Sequence, residues 1–318
     1  TRHYDGKPDR PYRGDFEISL RNDGLTVVNS VNLEDYLCGV VSSEMGAGYP
    51  PEALKAQAVA ARTYAVKHLG RCAAQGFDLD DTPRCQVYGG YLSEDPRTTK
   101  AVNDTAGQVL TYDGQLIDAV YSSTCGGFTE SAEDAWGKRV PYLVSVNDAD
   151  ADTPVQAPQS EAEWATYCKS APSLNCLQPK YAKIEAFRWV RLVTRKELEA
   201  ALPEACRVGT IQNITPVTRG HSGRITALRL VGSERTIEIK TESRIRAAFG
   251  ARETRSSAFT VDSYRDDAGT PIVFAFWGAG WGHGIGMCQV GAVGLAQHGW
   301  TYDKILMHYY QGVAITRQ

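Results

Sequence analysis

The stretch "GAGWGHGIGMCQ", Gly278 to Gln289, places glycine at 278, 280, 282, 284 and 286. Read as an extended strand, its alternate side chains face opposite ways. The glycines then share one bare face, which a backbone or a flat ligand can approach closely. Trp281 and His283 share the other face. An indole offers its π surface to the C–H bonds of a sugar ring, and an imidazole can donate, accept or ligate. The competing reading is a tightly packed core strand with a structural histidine. Alternating glycines carry a heavy entropic cost, which favours the floor of a functional cleft. The run fits G-x-G-x-x-G in no register and no Lys-Ser/Thr follows, so phosphate binding is not indicated.

Three other stretches carry chemistry-bearing residues. In "VVSSEMGAG", Glu44 follows an expected strand and lies near Val41 and Met45. Partial desolvation there would raise its pKa and let it serve as an acid, although most glutamates are solvated. In "YSSTCGGFTE", Ser122, Ser123, Cys125 and Thr129 form no nucleophile elbow. Hydroxyls that bind a polar ligand or satisfy turns are favoured over a nucleophile with His283 as its base. Finally, His68, Cys72 and Cys85 offer metal-ligand types at a spacing that matches no standard zinc pattern. A Cys72–Cys85 disulfide beside a spectator His68 is the favoured alternative, and no cofactor is expected.

The elements that must position these residues follow from pattern. "FEISLRN" and "DGLTVVNSV" alternate as a hairpin around an Asp23-Gly24 turn, and "YLCGVV" reads as a third strand. Pro50 and Pro51 open a helix, "EALKAQAVAARTYAVKHLG", at its tolerated first positions. Small apolar residues surround that helix, so it is expected to be buried. Its polar residues are either Lys55 and Arg62 snorkelling outward or groups lining a cleft. Residues 97–106 read as helix, and "GQVLTYDGQLIDAVYSS" as a hairpin turning at Asp113-Gly114. The Asp-, Ala- and Pro-rich stretch 147–160 reads as a linker.

Beyond it, 161–250 reads as an α+β layer of strands "FRWVRLV", "VGTIQNITPVTR", "RITALRLV" and "TIEIK", with a capping box at Thr194-Arg-Lys-Glu197. "PIVFAFWG" is a strand feeding the glycine run, and two helices close the chain. The expected class is therefore α+β: short mixed strands around a buried Ala-rich helix, with an inserted β-rich subdomain and C-terminal helices. The expected division is 12–146 and 251–318 as two parts of one domain, 147–160 as linker, and 161–250 as insert.

Composition bounds the function. The 318 residues carry a net charge of −3, which leaves no basic footprint for nucleic acid. No apolar run is long enough to span a bilayer. The chain begins at Thr1 without Met, as a processed product would. Eight cysteines suit disulfides in an oxidising compartment, with Cys72–Cys85 and Cys168–Cys176 as candidate pairs.

Four stretches, taken in order, resemble the stage II sporulation protein D family: "VNLEDYLCGVVSSEMGAGYPPEALKAQAVAARTYA", "STCGGFTESAEDAWG", "PYLVSVND" and "GWGHGIGMCQVGAVGLAQHGWTYDKILMHYYQG". The family is a group of extracytoplasmic lytic murein transglycosylases, and the resemblance runs from about residue 12 to 315, weakest over 150–235. It implies that Glu44 is the catalytic acid. It implies that Lys55, Gln57, Arg62 and Tyr64 line or brace a cleft. Ser122, Ser123, Gly126, Gly127, Trp281, His283 and Gln289 match its other blocks and are implied substrate contacts. Where the family carries Pro after Glu-Met, this chain has Gly46, which loosens that loop.

The resemblance implies peptidoglycan glycan strands as substrate and an extracytoplasmic location. One carboxylate would protonate the bridging oxygen of the MurNAc–GlcNAc bond and then take the proton of the attacking 6-hydroxyl. A hydrolase would need a second carboxylate, for which Glu130 is the first candidate. Some relatives are amidase enhancers, so a binding module with a cell-wall amidase as partner is the alternative. Some clostridial members carry a His/Cys zinc site after the long helix, in the region of His68, Cys72 and Cys85 but at another spacing.

Overall fold

The computed structural model describes residues 10–21, 24–149, 155–178 and 180–318. The expected turn residue Asp23 and part of the expected linker, 150–154, lie outside them. The fold is α+β. In chain order its elements are β1 (Asp15–Arg21), β2 (Gly24–Ser30), α1 (Leu33–Glu44), α2 (Pro51–Lys67), α3 (Pro96–Asp104), β3 (Gln108–Tyr112), β4 (Gln115–Leu116) and β5 (Tyr121–Ser122). There follow α4 (Ala132–Trp136), α5 (Glu161–Lys169), α6 (Ile184–Phe187), β6 (Arg188–Thr194), α7 (Arg195–Ala201), β7 (Ile211–Arg219), β8 (Ile225–Gly232), β9 (Thr236–Lys240) and α8 (Glu242–Ala248). The chain ends with β10 (Phe259–Arg265), β11 (Pro271–Ala279), β12 (Met287–Cys288), α9 (Gln289–Gln297), α10 (Tyr302–Tyr309) and β13 (Ala314–Arg317).

The chain divides into two compact units. The first holds residues 1–120, 295–307 and 312–318; the second holds 121–294 and 308–311. The division thus falls at Val120/Tyr121 rather than across 147–160. As a result, the "SSTCGG" loop and the glycine run share a unit that does not contain Glu44.

In the first unit, α2 is the central element. Ala53, Leu54, Ala56, Ala58, Val59, Ala60 and Ala61 are all buried, on every side of the helix, as its small-residue composition predicts. Helices α1 and α3 and strand β3 pack against it. The carbonyl of Val59 accepts from the Thr63 hydroxyl, and that oxygen in turn accepts the Leu110 N–H of β3 at 2.9 Å. Strand β3 sits between β4 and β13. The β3–β4 turn has Asp113 and Gly114 both at positive φ, 49° and 74°, the hairpin turn that an Asp-Gly pair specifies.

One expectation fails here. "YLCGVV" is not a strand but the middle of α1. The Asn32 side chain caps the first turn by accepting from the Glu34 N–H at 3.0 Å, and Glu34 and Asp35 follow it. The acidic first turn suits the positive end of the helix, and burial of Leu37, Val40 and Val41 overrides the β preference of the paired valines.

In the second unit, β7, β8 and β9 form one antiparallel sheet, and β10, β11 and β6 another. Trp189, Leu198, Leu228, Ile245, Phe249, Phe259, Phe274 and Phe276 form the core between them and helices α7 and α8. The capping box at Thr194 and Glu197 is present. Strand β12 pairs with β5 in parallel, Met287 opposite Tyr121 and Cys288 opposite Ser122. Among the described residues, no helix is long and apolar enough to cross a membrane.

Candidate active site

Glu44 is the last residue of α1 and is half-buried. Its Oε1 accepts the backbone N–H of Val87 at 2.9 Å. The neighbouring Ser43 hydroxyl accepts the Gly89 N–H at 3.1 Å and donates to the Gly39 carbonyl at 2.7 Å. The segment Gln86–Gly90 is thereby laced along the end of the helix. Gly39 has no side chain because the Tyr88 ring lies where a Cβ would be. Rings Tyr36 and Tyr88 stand 4.9 Å apart. Burial, followed by the charges of Cys85 and Glu44, pushes the Tyr36 phenol well above its ordinary value. Glu44 is thus fixed by a backbone donor beside aromatic rings. Sequence reasoning did not find the "QVYGG" segment that holds it; the paired glycines Gly89 and Gly90 were the available signal.

Of the four helix residues, Gln57, Arg62 and Tyr64 are buried and brace their neighbours. Arg62 is 1 % exposed. Its Nε and Nη2 each donate to a Glu34 carboxylate oxygen at 2.7 Å, and its remaining donors reach the carbonyls of Val102 and Gln108 at 3.2 Å. Arg62 therefore does not snorkel outward. Gln57 is fully buried, and Tyr64 is buried with its hydroxyl accepting from Arg71 at 2.8 Å. Lys55 is half-buried and pairs with Glu52 at 2.8 Å; the strength of that hydrogen bond raises its pKa.

Past the helix, Cys72, Cys85 and Asp80 bring one ligand atom each within 4.8 Å of one another. His68 is not in that group: its Nε2 meets Asp118 Oδ1 at 2.8 Å. Asp80 is held by Arg84 at 2.5 Å. The eight cysteines are unpaired in this structure, which therefore contains neither candidate disulfide. Cys168, on α5, faces the carbonyl of Ala258, whereas Cys176, in the turn at 174–177, faces Cys125.

In the second unit, the glycine run is not an extended strand. Strand β11 ends at Ala279, and Gly280, Gly282, Gly284 and Gly286 take φ of 75°, 99°, 79° and 69°. The alternation serves a left-handed backbone that L side chains rarely adopt, not a bare strand face. Close approaches add to the requirement: the Trp189 ring lies against Gly278, and the Arg224 guanidinium occupies the space a Cβ would need at Gly284.

The run is tied to the "SSTCGG" loop by Thr124 and Trp281, which exchange backbone hydrogen bonds at 2.8 and 3.1 Å. Gly126 and Gly127 also have positive φ, 83° and 128°. Ser122 is buried and Ser123 half-buried; the carbonyl of Ser123 accepts the Val290 N–H. Trp281 is 40 % exposed, with the Arg255 guanidinium 4.7 Å from its ring centre. The Nδ1 of His283 accepts the Ile285 N–H at 3.0 Å, which leaves the imidazole proton on Nε2 in the neutral ring. Gln289 is buried at the start of α9.

Arg224, which sequence reasoning passed over, is 1 % exposed and holds this loop system together. It donates to the carbonyls of Gly282 and Cys125 and to the Ser222 hydroxyl at 3.1–3.3 Å. The Ser222 hydroxyl in turn donates to Glu130 Oε2 at 2.6 Å. Burial pushes the Glu130 carboxyl up to about 7, against the opposing pull of Ser222, Arg224 and the Ser131 N–H.

Two family models match this chain: the stage II sporulation protein over residues 21–112, and a domain of unknown function (DUF8618) over 130–286. The chain is 31 % identical to stage II sporulation protein D of Bacillus subtilis, over 91 % of this chain and 76 % of that protein. It belongs to the stage II sporulation protein D family. It is also 34 % identical to an uncharacterised protein of Brachyspira hyodysenteriae, over 96 % of this chain and 72 % of that one. A third relative is the amidase enhancer of Bacillus subtilis, 32 % identical over 88 % of this chain but only 40 % of its own length. The stage II sporulation protein match lies within the first unit and contains Glu44; the second match lies within the second unit and ends in the glycine run.

Proposed function

We propose that the protein is a lytic transglycosylase of peptidoglycan glycan strands, acting outside the cytoplasm, with Glu44 as its single acid and base. The observation that carries this reading is the Glu44 carboxylate at the end of α1, half-buried and aimed by the Val87 N–H. A carboxylate held by a backbone donor keeps one orientation through a reaction, which favours proton transfer along a fixed line. Glu44 protonates the glycosidic oxygen as the MurNAc–GlcNAc bond breaks. It then accepts the proton of the MurNAc 6-hydroxyl as that oxygen closes on C1, leaving a 1,6-anhydro end. One group suffices because the nucleophile belongs to the substrate.

Trp281, exposed at the turn of the glycine run, is the proposed sugar-stacking surface, and His283 the proposed neighbouring substrate contact. Ser123 is the accessible hydroxyl of its block. The buried Gln57, Arg62 and Tyr64 act on the substrate only by holding α1 and α2.

The similarity to an amidase enhancer supports a second reading, a glycan-binding module that recruits a cell-wall amidase. Mass spectrometry of products from peptide-free glycan strands separates the two. Anhydro-ended fragments from the wild type and none from Glu44→Gln are expected. Reducing ends would make the enzyme a hydrolase. No cleavage by the wild type, with glycan retained and an amidase stimulated equally by Glu44→Gln, would replace the enzyme with the binding module.

A further inference from the structure

Four segments far apart in sequence bring Cys125, Asp148, Cys176 and Cys288 together inside the second unit. Each residue is at most 1 % exposed, and their ligand atoms all lie within 4.8 Å of one another. We propose that these three thiols and one carboxylate form a structural site for a tetrahedral, thiophilic divalent cation, zinc by its ligand set.

The spacings are those of ligands around a shared ion. Zinc–sulfur bonds of about 2.3 Å at tetrahedral angles put sulfurs roughly 3.7 Å apart. The Cys125 and Cys176 sulfurs are 3.7 Å apart. A carboxylate oxygen at about 2.0–2.2 Å from the ion would lie roughly 3.5 Å from a sulfur; Asp148 Oδ2 is 3.3 Å from the Cys125 sulfur. The second oxygen of Asp148 is already used. Oδ1 accepts the hydroxyl of the fully buried Tyr309 at 2.6 Å, so Oδ2 is turned toward the thiols. Such outer hydrogen bonds orient ligands in metal sites.

The backbone also points its donors at the sulfurs. The N–H of Cys125 and of Gly291 approach the Cys288 sulfur at 3.1 and 3.2 Å, and the Gly127 N–H approaches the Cys125 sulfur at 3.4 Å. N–H groups aimed at sulfur suit thiolates, which carry the charge of a bound cation's ligands, better than neutral thiols. Space is kept for this arrangement: a side chain at Gly291 would overlap Tyr309 and Asp148. The mixture of three soft sulfurs and one hard oxygen favours zinc over copper(I) or an iron–sulfur cluster.

The ion would cross-link loops that have little regular structure of their own. Cys125 lies in the loop after β5, Cys288 in β12, and Cys176 in the turn at 174–177. The site would therefore pin the end of the glycine run to the "SSTCGG" loop. This proposal does not depend on the glycan reading. It is also distinct from the Cys72, Cys85 and Asp80 group, whose carboxylate is engaged by Arg84.

The test is metal analysis of the full chain purified without chelating resin. Stoichiometric zinc is expected in the wild type and in the double variant Cys72→Ser/Cys85→Ser, and its loss in Cys125→Ser and Cys288→Ser. Because those single variants could misfold, the wild type exchanged with cobalt(II) provides a second reading. It should show intense tetrahedral d–d bands and thiolate-to-cobalt charge transfer, with stronger charge transfer in Asp148→Cys. Absence of zinc from the wild type together with no tetrahedral cobalt spectrum would overturn the site. So would zinc lost from Cys72→Ser/Cys85→Ser alone, unchanged charge transfer in Asp148→Cys, or a non-reducing peptide map showing Cys125 joined to Cys176.

Discussion

The guanidinium of Arg62 grips the carboxylate of Glu34 through two parallel hydrogen bonds of 2.7 Å, from a helix position with 1 % exposure. Glu34 sits in the first turn of α1, whose last residue is Glu44. The pair therefore fixes α1 against α2, and with it the origin of the proposed acid.

Removing one member of a buried pair leaves the other charge uncompensated, at a cost of about 3–5 kcal/mol. Glu34→Gln should cost as much, since it leaves the Arg62 charge uncompensated at 1 % exposure. Arg62→Ala leaves the partly hydrated Glu34 behind, but it empties buried space and strands the carbonyls of Val102 and Gln108, so it should also be clearly destabilised in denaturant unfolding. Arg62→Lys should lose a large part of the same stability, because an ammonium cannot make the two-pronged contact. Equal stability of Arg62→Ala and wild type would show that the pair does not hold these helices.

Glu130 gives a prediction in pH. Its carboxyl is buried beneath Ser222 and beside Arg224, with Asp134 and His221 nearby, and burial lifts it from an ordinary 4.5 to about 7. Below 4.5 both folded and unfolded chains hold the proton, and the group contributes nothing. Between 4.5 and 7 the unfolded chain releases it while the folded chain keeps it, so stability falls as pH rises. Above 7 the penalty is constant, about 3 kcal/mol in order of magnitude. Glu130→Gln mimics the protonated form and should flatten that fall, measured by urea unfolding across pH 4–8. A wild-type profile with no greater fall than that of Glu130→Gln over this window would contradict the lifted pKa.

Much of the fold was legible in sequence because the signals were local. Pro50 and Pro51 before an alanine-rich run specified α2, Asp113-Gly114 specified the β3–β4 turn, and Thr194 with Glu197 specified a capped helix. The failures were non-local. The paired valines of α1 read as strand because nothing in the local pattern shows that helix burial will outweigh their β preference. Cys176 lay close in sequence to Cys168, yet its sulfur is turned to Cys125, 51 residues away. The glycine alternation was visible but its cause was not. Period two suggests a strand face, whereas left-handed backbone at alternate residues produces the same letters. Arg224 left no trace, since an arginine that organises carbonyls looks like any surface arginine until the loops around it are folded.

The contact between Arg224 and the glycine run can be tested against an internal control. Gly284 and Gly137 have similar positive φ, 79° and 70°, so alanine at either position carries a comparable backbone strain of about 1–2 kcal/mol. Their surroundings differ. A methyl group at Gly137 meets nothing within 4 Å, while one at Gly284 overlaps the Arg224 guanidinium. Displacing that buried group adds an overpacking cost of about 1–3 kcal/mol, and it strains the hydrogen bonds to Gly282 and Cys125. Gly284→Ala should therefore be clearly less stable than Gly137→Ala in thermal or denaturant unfolding. If the glycine serves only its backbone angle, the two variants will lose the same amount, and Arg224 is not the support of the run.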